Sequence, residues 1–352
     1  MEQTPIENIN VDATSKGASM VAEEKSGIMR LILITTILIF IFGYAITVYW
    51  SIEPDPVEIY SDKAWLNEAD GQRRITGYTM VNTLANVIDL LLDKPGGFLG
   101  NDIAPPSLFM DNMPAFEYGA LIQSRDLTRA LRNDFSRSQS QSTEQDDLKV
   151  AEPKMSIAHG NWMLPSPEGE YKDAVVALRS YLDKLSNTNN PESQFYARAD
   201  NLRDYLGEVS TRLGSYSQKL SASVGQEREN TDLAGDSSAT QSSNSAANLK
   251  VKTPWLQIDD VFYEARGASW ALSQYLRAIE VDFAEVLEKK AALTSLRQII
   301  RELDATQETI WSPMILNGSG FGLMANHSLV MASYISRANA GIIDLRELLA
   351  RG

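Results

Sequence analysis

Two histidines, no cysteine and one short glycine-rich run bound the chemistry open to this chain of 352 residues. His159 and His327 stand far apart, and neither sits in an HxxxH or HExxH pattern that would set two metal ligands on one helix face. Each reads as a surface or capping residue. Without cysteine there is no thiolate nucleophile, no disulfide and no Cys-metal site. The run Gly318-Ser319-Gly320-Phe321-Gly322 has the small residues of a loop whose backbone N–H groups cradle an anion. It lacks the preceding strand and the following Lys-Ser/Thr of such loops, and so reads as an interhelical turn.

Residues 95–114, PGGFLGNDIAPPSLFMDNMP, are the stronger candidate. Pro95, Gly96 and Gly97 stop a helical pattern, and Asn101, Asp102, Asp111 and Asn112 offer oxygens of the kind a hard cation takes. Their spacing is not that of an EF-hand, and helix caps and turns use the same residue types. Phe98, Leu99, Phe109 and Met110 predict that the loop is packed down. On the following helix Arg125, Arg129 and Arg132 form a cationic stripe that suits a phosphate or carboxylate. Asp126 and Asp134 on that helix favour internal salt bridges instead. A carboxylate pair for glycan hydrolysis needs a separation that sequence alone does not supply. No motif assigns a catalytic residue, a metal or a cofactor.

These residues need a scaffold, and the scaffold begins with an anchor. Residues 31–49 carry no charge and are apolar on every face. Nineteen helical residues span about 28 Å, close to the hydrocarbon core of a bilayer. Lys16, Lys25 and Arg30 precede this stretch, and only Lys63 lies within fifteen residues after it, which predicts a cytoplasmic N-terminus. The run is longer than a signal-peptide core and no Ala-x-Ala pattern follows, so it reads as an uncleaved transmembrane helix over 28–50. Residues 1–27 are polar and predict a disordered cytoplasmic tail with no output domain. Residues 51–76 form a juxtamembrane linker in which Trp65 and Leu66 hint at a short helix.

Beyond it the pattern is helical throughout. Val81, Leu84, Ile88 and Leu91 mark one helix, and a second runs from about Pro114 to Phe135. Tyr171 to Leu185 and Phe195 to Leu220 alternate steps of four and three, predicting an antiparallel hairpin across residues 187–190. Residues 225–253, rich in Ser and Asn, predict a disordered loop. Leu272, Ile279, Val286, Leu293 and Ile300 repeat every seven residues, and the seam shifts sides near Lys289-Lys290, where the helix rotates its partner contact or breaks. A last helix carries Met331, Ile335, Ala338, Ile342, Leu345 and Leu349. The expected fold is all-α: one transmembrane helix, then an elongated bundle of about six helices with coiled-coil-like packing, in a first part (77–224) and a second part (254–352).

The strings LLDKPGGFLGNDIAPPSLFMDNMP, RALRNDFSRSQSQSTEQDDL and QFYARADNLRDYLGEV resemble a family of proteobacterial single-span inner-membrane proteins carried as a domain of unknown function. The resemblance covers most of residues 50–350. It implies an inner-membrane location in a Gram-negative envelope, and it brings no activity, cofactor or catalytic residue.

A formal net charge of −14 disfavours nucleic acid and anionic headgroups as partners of the surface as a whole. The favoured function is a non-catalytic periplasmic interaction or scaffold protein of the cell envelope. It would hold the bilayer through residues 31–49 and a protein partner through its body. Gly43-x-x-x-Thr47 is a small-residue motif that leaves room for a homo-oligomer. One alternative is a periplasmic enzyme acting on cell wall or lipid, with its site near 95–114. Another is a ligand-sensing ectodomain working through a separate membrane partner.

Overall fold

The uncharged stretch is the apolar part of α1 (Ile9–Trp50). Its segment Ile28–Trp50 has 23 residues at a mean hydropathy of 2.6, none of them buried, and is long and apolar enough to cross a membrane. The structure, a computed structural model, describes residues 9–59, 65–68, 71–137, 144–187, 193–229, 248–312 and 314–351. Residues 1–52 and 53–352 form two separate compact units. Helical backbone from Ile9 onward takes in most of the segment whose composition predicts a disordered tail.

The second unit is a helical bundle with two small hairpins. Its elements are β1 (Trp65–Glu68), β2 (Gly71–Arg74), α2 (Tyr78–Asp93), α3 (Asn112–Ala130), α4 (Asp146–Met155), α5 (Pro167–Ser186), α6 (Ala199–Ser221), β3 (Gln226–Glu229), β4 (Asn248–Val251), α7 (Ile258–Asp282), α8 (Ala284–Lys289), α9 (Leu293–Ala305) and α10 (His327–Ala350). The all-α expectation holds, with nine helices among the described residues of this unit where periodicity predicts about six. The additional ones are α4, a short helix that packs Leu148, Ala151 and Met155 inward, and the pieces of the 259–310 stretch. That stretch breaks twice, at Phe283 and around Ala291, whose φ of 52° no α-helix accommodates. Leu272 and Ile279 before the breaks are buried, and burial resumes on the other side of the seam at Leu296, Ile299 and Leu303.

Three local expectations are corrected. Trp65 and Leu66 lie on a strand, with β1 and β2 paired antiparallel. The ends of the Ser-rich segment also pair, Gln226 opposite Val251 through Glu229 opposite Asn248, while residues 230–247 lie outside the described part. The helices α5 and α6 do not pack as a hairpin: α5 lies against α2 and α4, and α6 against α10. Residues 193–198 are not helical, so α6 starts only at Ala199. Its inward face (Leu202, Leu206, Val209, Leu213, Tyr216 and Leu220) meets the last helix, whose six predicted positions are all buried.

The central contact is α3 on α7. Here two glycines let backbones touch: a Cβ on Gly119 would stand 1.9 Å from the Glu264 carbonyl oxygen, and one on Gly267 1.9 Å from that of Phe116. Further along, Ser124 and Tyr275 share a buried hydrogen bond of 2.6 Å. The two helices therefore run parallel. Ion pairs set the remaining directions. Arg212 on Asp126 and Lys219 on Glu264 make α6 antiparallel to both, and hydrogen bonds of Ser217 with Ser336 and of Ser210 with Asn339 turn α10 back again. Arg277 on Asp304 and Arg297 on Glu280 make α9 antiparallel to α7. Arg179 on Asp89, with Lys172 on Asp93, does the same for α5 and α2. Lys154 on Glu170, with Lys184 on Asp147, does so for α4 and α5. The connections 94–111, 156–166, 222–257 and 306–326 consequently emerge at one end, where α3 and α7 begin.

Replacing Gly267 with Ala should destabilise the protein by about 3 kcal/mol, the upper range for overpacking, because backbone and not a flexible side chain must move. Gly169→Ala, on the exposed side of α5 with nothing within 4 Å, should leave stability equal or higher. Urea unfolding of the two variants beside the parent chain measures both.

Candidate functional site

The first of the four connections is held by a buried ion pair. Pro95 ends α2, and Gly96 and Gly97, with φ of 85° and 72°, turn the chain in a conformation that side chains disfavour. The turn closes through the Gly97 N–H donating to the Lys94 carbonyl (2.8 Å) and the Lys94 ammonium donating to the Gly97 carbonyl (2.7 Å). That ammonium also stands 2.6 Å from Glu117 on α3, with side-chain exposures of 1% and 0%. Glu117 further accepts from the N–H groups of Leu99 (3.0 Å) and Gly100 (2.8 Å). Burial pushes the Glu117 carboxyl up to about 7, against the opposing pull of Lys94 and the two backbone donors.

The oxygen-bearing residues of this loop do not converge. Asn101 donates from its side-chain amide to the Asn161 carbonyl (3.1 Å) and to Glu168 (3.0 Å), joining the loop to the 156–166 connection. Asp102 and Asp111 are exposed. Asp111 caps α3, accepting from the N–H of Asn112 at 3.0 Å. Among the described residues no group of three or more His, Cys, Asp or Glu side chains is arranged to hold a metal ion. Phe98 and Leu99 are buried as expected, whereas Phe109 is 78% exposed.

The arginine stripe divides its work. Arg125 donates to the carbonyls of Met155 (2.6 Å) and Ile157 and to the Tyr171 hydroxyl (2.9 Å), fastening the start of the second connection to α3. Arg129 lies 3.6 Å from Asp126, whose closer partner is Arg212 at 2.7 Å. Arg132 pairs with Glu144 (3.2 Å) and Glu152 (3.0 Å). His159 stacks on Tyr118 with ring centroids 4.4 Å apart, and burial together with the Arg125 charge lowers its pKa, which favours the neutral ring. Beyond it Trp162, Met163 and Leu164 are exposed, Leu164 to 90%.

The fourth connection hangs on Arg266, which periodicity does not single out. Its Nε and Nη2 donate to both oxygens of Glu53 (2.7 and 2.9 Å). Nη1 donates to the carbonyls of Thr306 (2.7 Å) and Glu308 (3.0 Å), and Nη2 to that of Gln307 (3.1 Å). All five guanidinium donors are thus engaged. Next to it a groove of about 460 Å³ opens between α7, residues 305–316 and α10, with walls that include Phe262, Ile310, Trp311, Leu316, Met331 and Tyr334. His327 also lines it and accepts at Nδ1 from the Leu316 N–H (3.2 Å), which leaves the proton of the neutral ring on Nε2. Gly318 and Gly322 donate their N–H groups to the carbonyls of Ala325 and Ser319, so the glycine-rich run is a self-bonded turn. A charged residue amid small ones, as Arg266 is in Ala265-Arg266-Gly267-Ala268, was the available signal for this buried hub.

The arrangement offers little to a reaction and much to an apolar contact. Trp255 and Leu256 on the third connection, and Trp311, Met314, Phe321, Leu323 and Met324 on the fourth, are exposed like the side chains of the first two.

Lys94→Met strands the Glu117 carboxylate, and loss of one partner of a buried pair is worth about 3–5 kcal/mol. The folded-state value near 7 lies above the roughly 4.3 of an unfolded Glu, so the folded protein holds this proton more tightly and the group's contribution to stability falls as pH rises from about 4.3 towards 7. The Lys94→Met penalty should accordingly be larger at pH 8 than at pH 5, as read from urea midpoints at both values. An equal penalty at the two would refute the buried pairing.

Residues 22–352 match the model of a protein family described as an uncharacterized protein conserved in bacteria, DUF2333. No curated protein and no solved structure matches the chain.

Proposed function

The chain belongs to this family of uncharacterized bacterial proteins, DUF2333, and because its description assigns no activity we propose a function from the structure: a single-span protein of the bacterial inner membrane that works by binding, not catalysis, through the apolar end of a periplasmic helical body. One observation carries this reading. Outside residues 1–52, every exposed Trp, Phe, Leu and Met among the described residues lies on the four connections at the α3–α7 start. Exposed apolar side chains gathered at one end of a body in this way mark an interaction site. Arg125 and Arg132 of the stripe, and the Lys94–Glu117 pair at the root of the loop, are by contrast engaged in ion pairs and carbonyl contacts that build the bundle. The excess of Lys and Arg before residue 31 supports the orientation.

Two measurements test it. A periplasm-active reporter fused after Gly352 should be active in cells, and inactivity would overturn the orientation. Photo-crosslinking side chains at Phe109 and Leu164 should capture discrete adducts, protein or lipid, while the same probe at Val176 on α5 captures none. Equal silence at all three positions would sink the binding surface.

A further inference from the structure

We infer that the occupant of the apolar end is the bilayer itself: the end rests on the outer leaflet of the membrane that residues 31–49 cross, with the 319–324 tip inserted. This deepens the reading above and rests on it. The first ground is chain length. Glu53 is the third residue after Trp50, so its backbone can lie no more than about 11 Å from the end of the apolar helix. Within the body Arg266 grips Glu53 in a bidentate pair and holds residues 306–308 with the same guanidinium. From Glu53 the chain runs away from this end, burying Val57 and then Ile59 beside Arg277 and Ile300 further along α7. Glu53, the first residue of this unit, therefore enters the body at the end bearing the apolar connections.

The second ground is the build of the fourth connection. Residues 309–326 contain no charged side chain, in a chain that is 22% charged. Its base is a closed turn: Asn317 and Asn326 form a bridge, Gly318 N–H donates to the Ala325 carbonyl, and the Asn326 amide donates to the Gly318 carbonyl at 2.6 Å. Asn326 also caps α10 by accepting from the Leu329 N–H. With the base bonded in this way, the tip presents Phe321 and Leu323 at 108% and 107% exposure. Trp311 on the same connection is 94% exposed. Aromatic and aliphatic side chains on a bonded, uncharged turn are suited to the headgroup–acyl boundary. Asp111, Asp259 and Asp260, grouped where α3 and α7 begin, favour zwitterionic over anionic lipid.

The absence of native cysteine permits a direct test. Full-length chains carrying a single Phe321→Cys, Leu323→Cys or Val176→Cys, each at an exposed position, are spin-labelled and reconstituted in phosphatidylcholine nanodiscs. Collision rates with oxygen and with a water-soluble nickel chelate are then measured, and circular dichroism checks the fold of each. Labels at 321 and 323 should show nickel accessibility at least threefold below that at 176, with oxygen accessibility higher. Low accessibility to both reagents means that the tip is covered by protein: this inference then fails, while binding at the apolar end stands. Nickel accessibility equal to that at 176 overturns membrane seating whatever the crosslinking shows.

Discussion

The close parallel crossing of α3 and α7 is the constraint on which the remaining structure depends. Two glycines, Gly119 and Gly267, bring backbone against backbone, which puts Phe116 against Trp270 and lets Ser124 reach Tyr275. With these helices started at the same end, the antiparallel packing of α6, α9 and α10 returns the chain to that end again and again. The four connections meet there as a consequence of helix direction, before any property of their own residues is considered.

What those connections present is then decided by buried charge. The Lys94–Glu117 pair and the Arg266–Glu53 pair sit at the root of the first and fourth connections. A buried ion pair is weak evidence for stability, since desolvation offsets much of the attraction, but it fixes geometry because few arrangements satisfy all its donors and acceptors. That matters here, where the loops expose large apolar side chains to water. Free loops of this composition would collapse onto the bundle, whereas loops bonded at their bases hold the side chains outward. Asn101, Arg125 and Arg132, which looked available for chemistry, are struts of this arrangement.

Charge and hydropathy are therefore segregated within one body. The acidic side chains are spread along the bundle, and the uncharged run 309–326 is confined to one connection. A body that gathers exposed Trp, Phe, Leu and Met side chains at one end offers that end for apolar contact, and the groove beside Arg266 lies at the same end.

Much of the fold was legible from periodicity. The inward faces of α2, α6 and α10 follow directly from steps of three and four, since any packed helix must bury such a stripe whatever it packs against. The same logic could not name the partner: α6 carries an apolar face that fits α5 or α10 equally well in sequence, and tertiary packing chose α10. Nor could it find α4, ten residues with few apolar positions and Pro153 near their end. The candidate loop 95–114 was recognisable by length and composition, but its clamp and the Arg266 hub were not, because Arg266 and Glu53 are 213 residues apart and no local pattern links them. The sequence by itself determined an apolar helix long enough to span a membrane, a helical body and the absence of thiol chemistry, all of which follow from composition and local period. Only the tertiary structure decided which charges are buried and where the exposed apolar residues gather, because both depend on long-range pairing that local chain propensity does not encode.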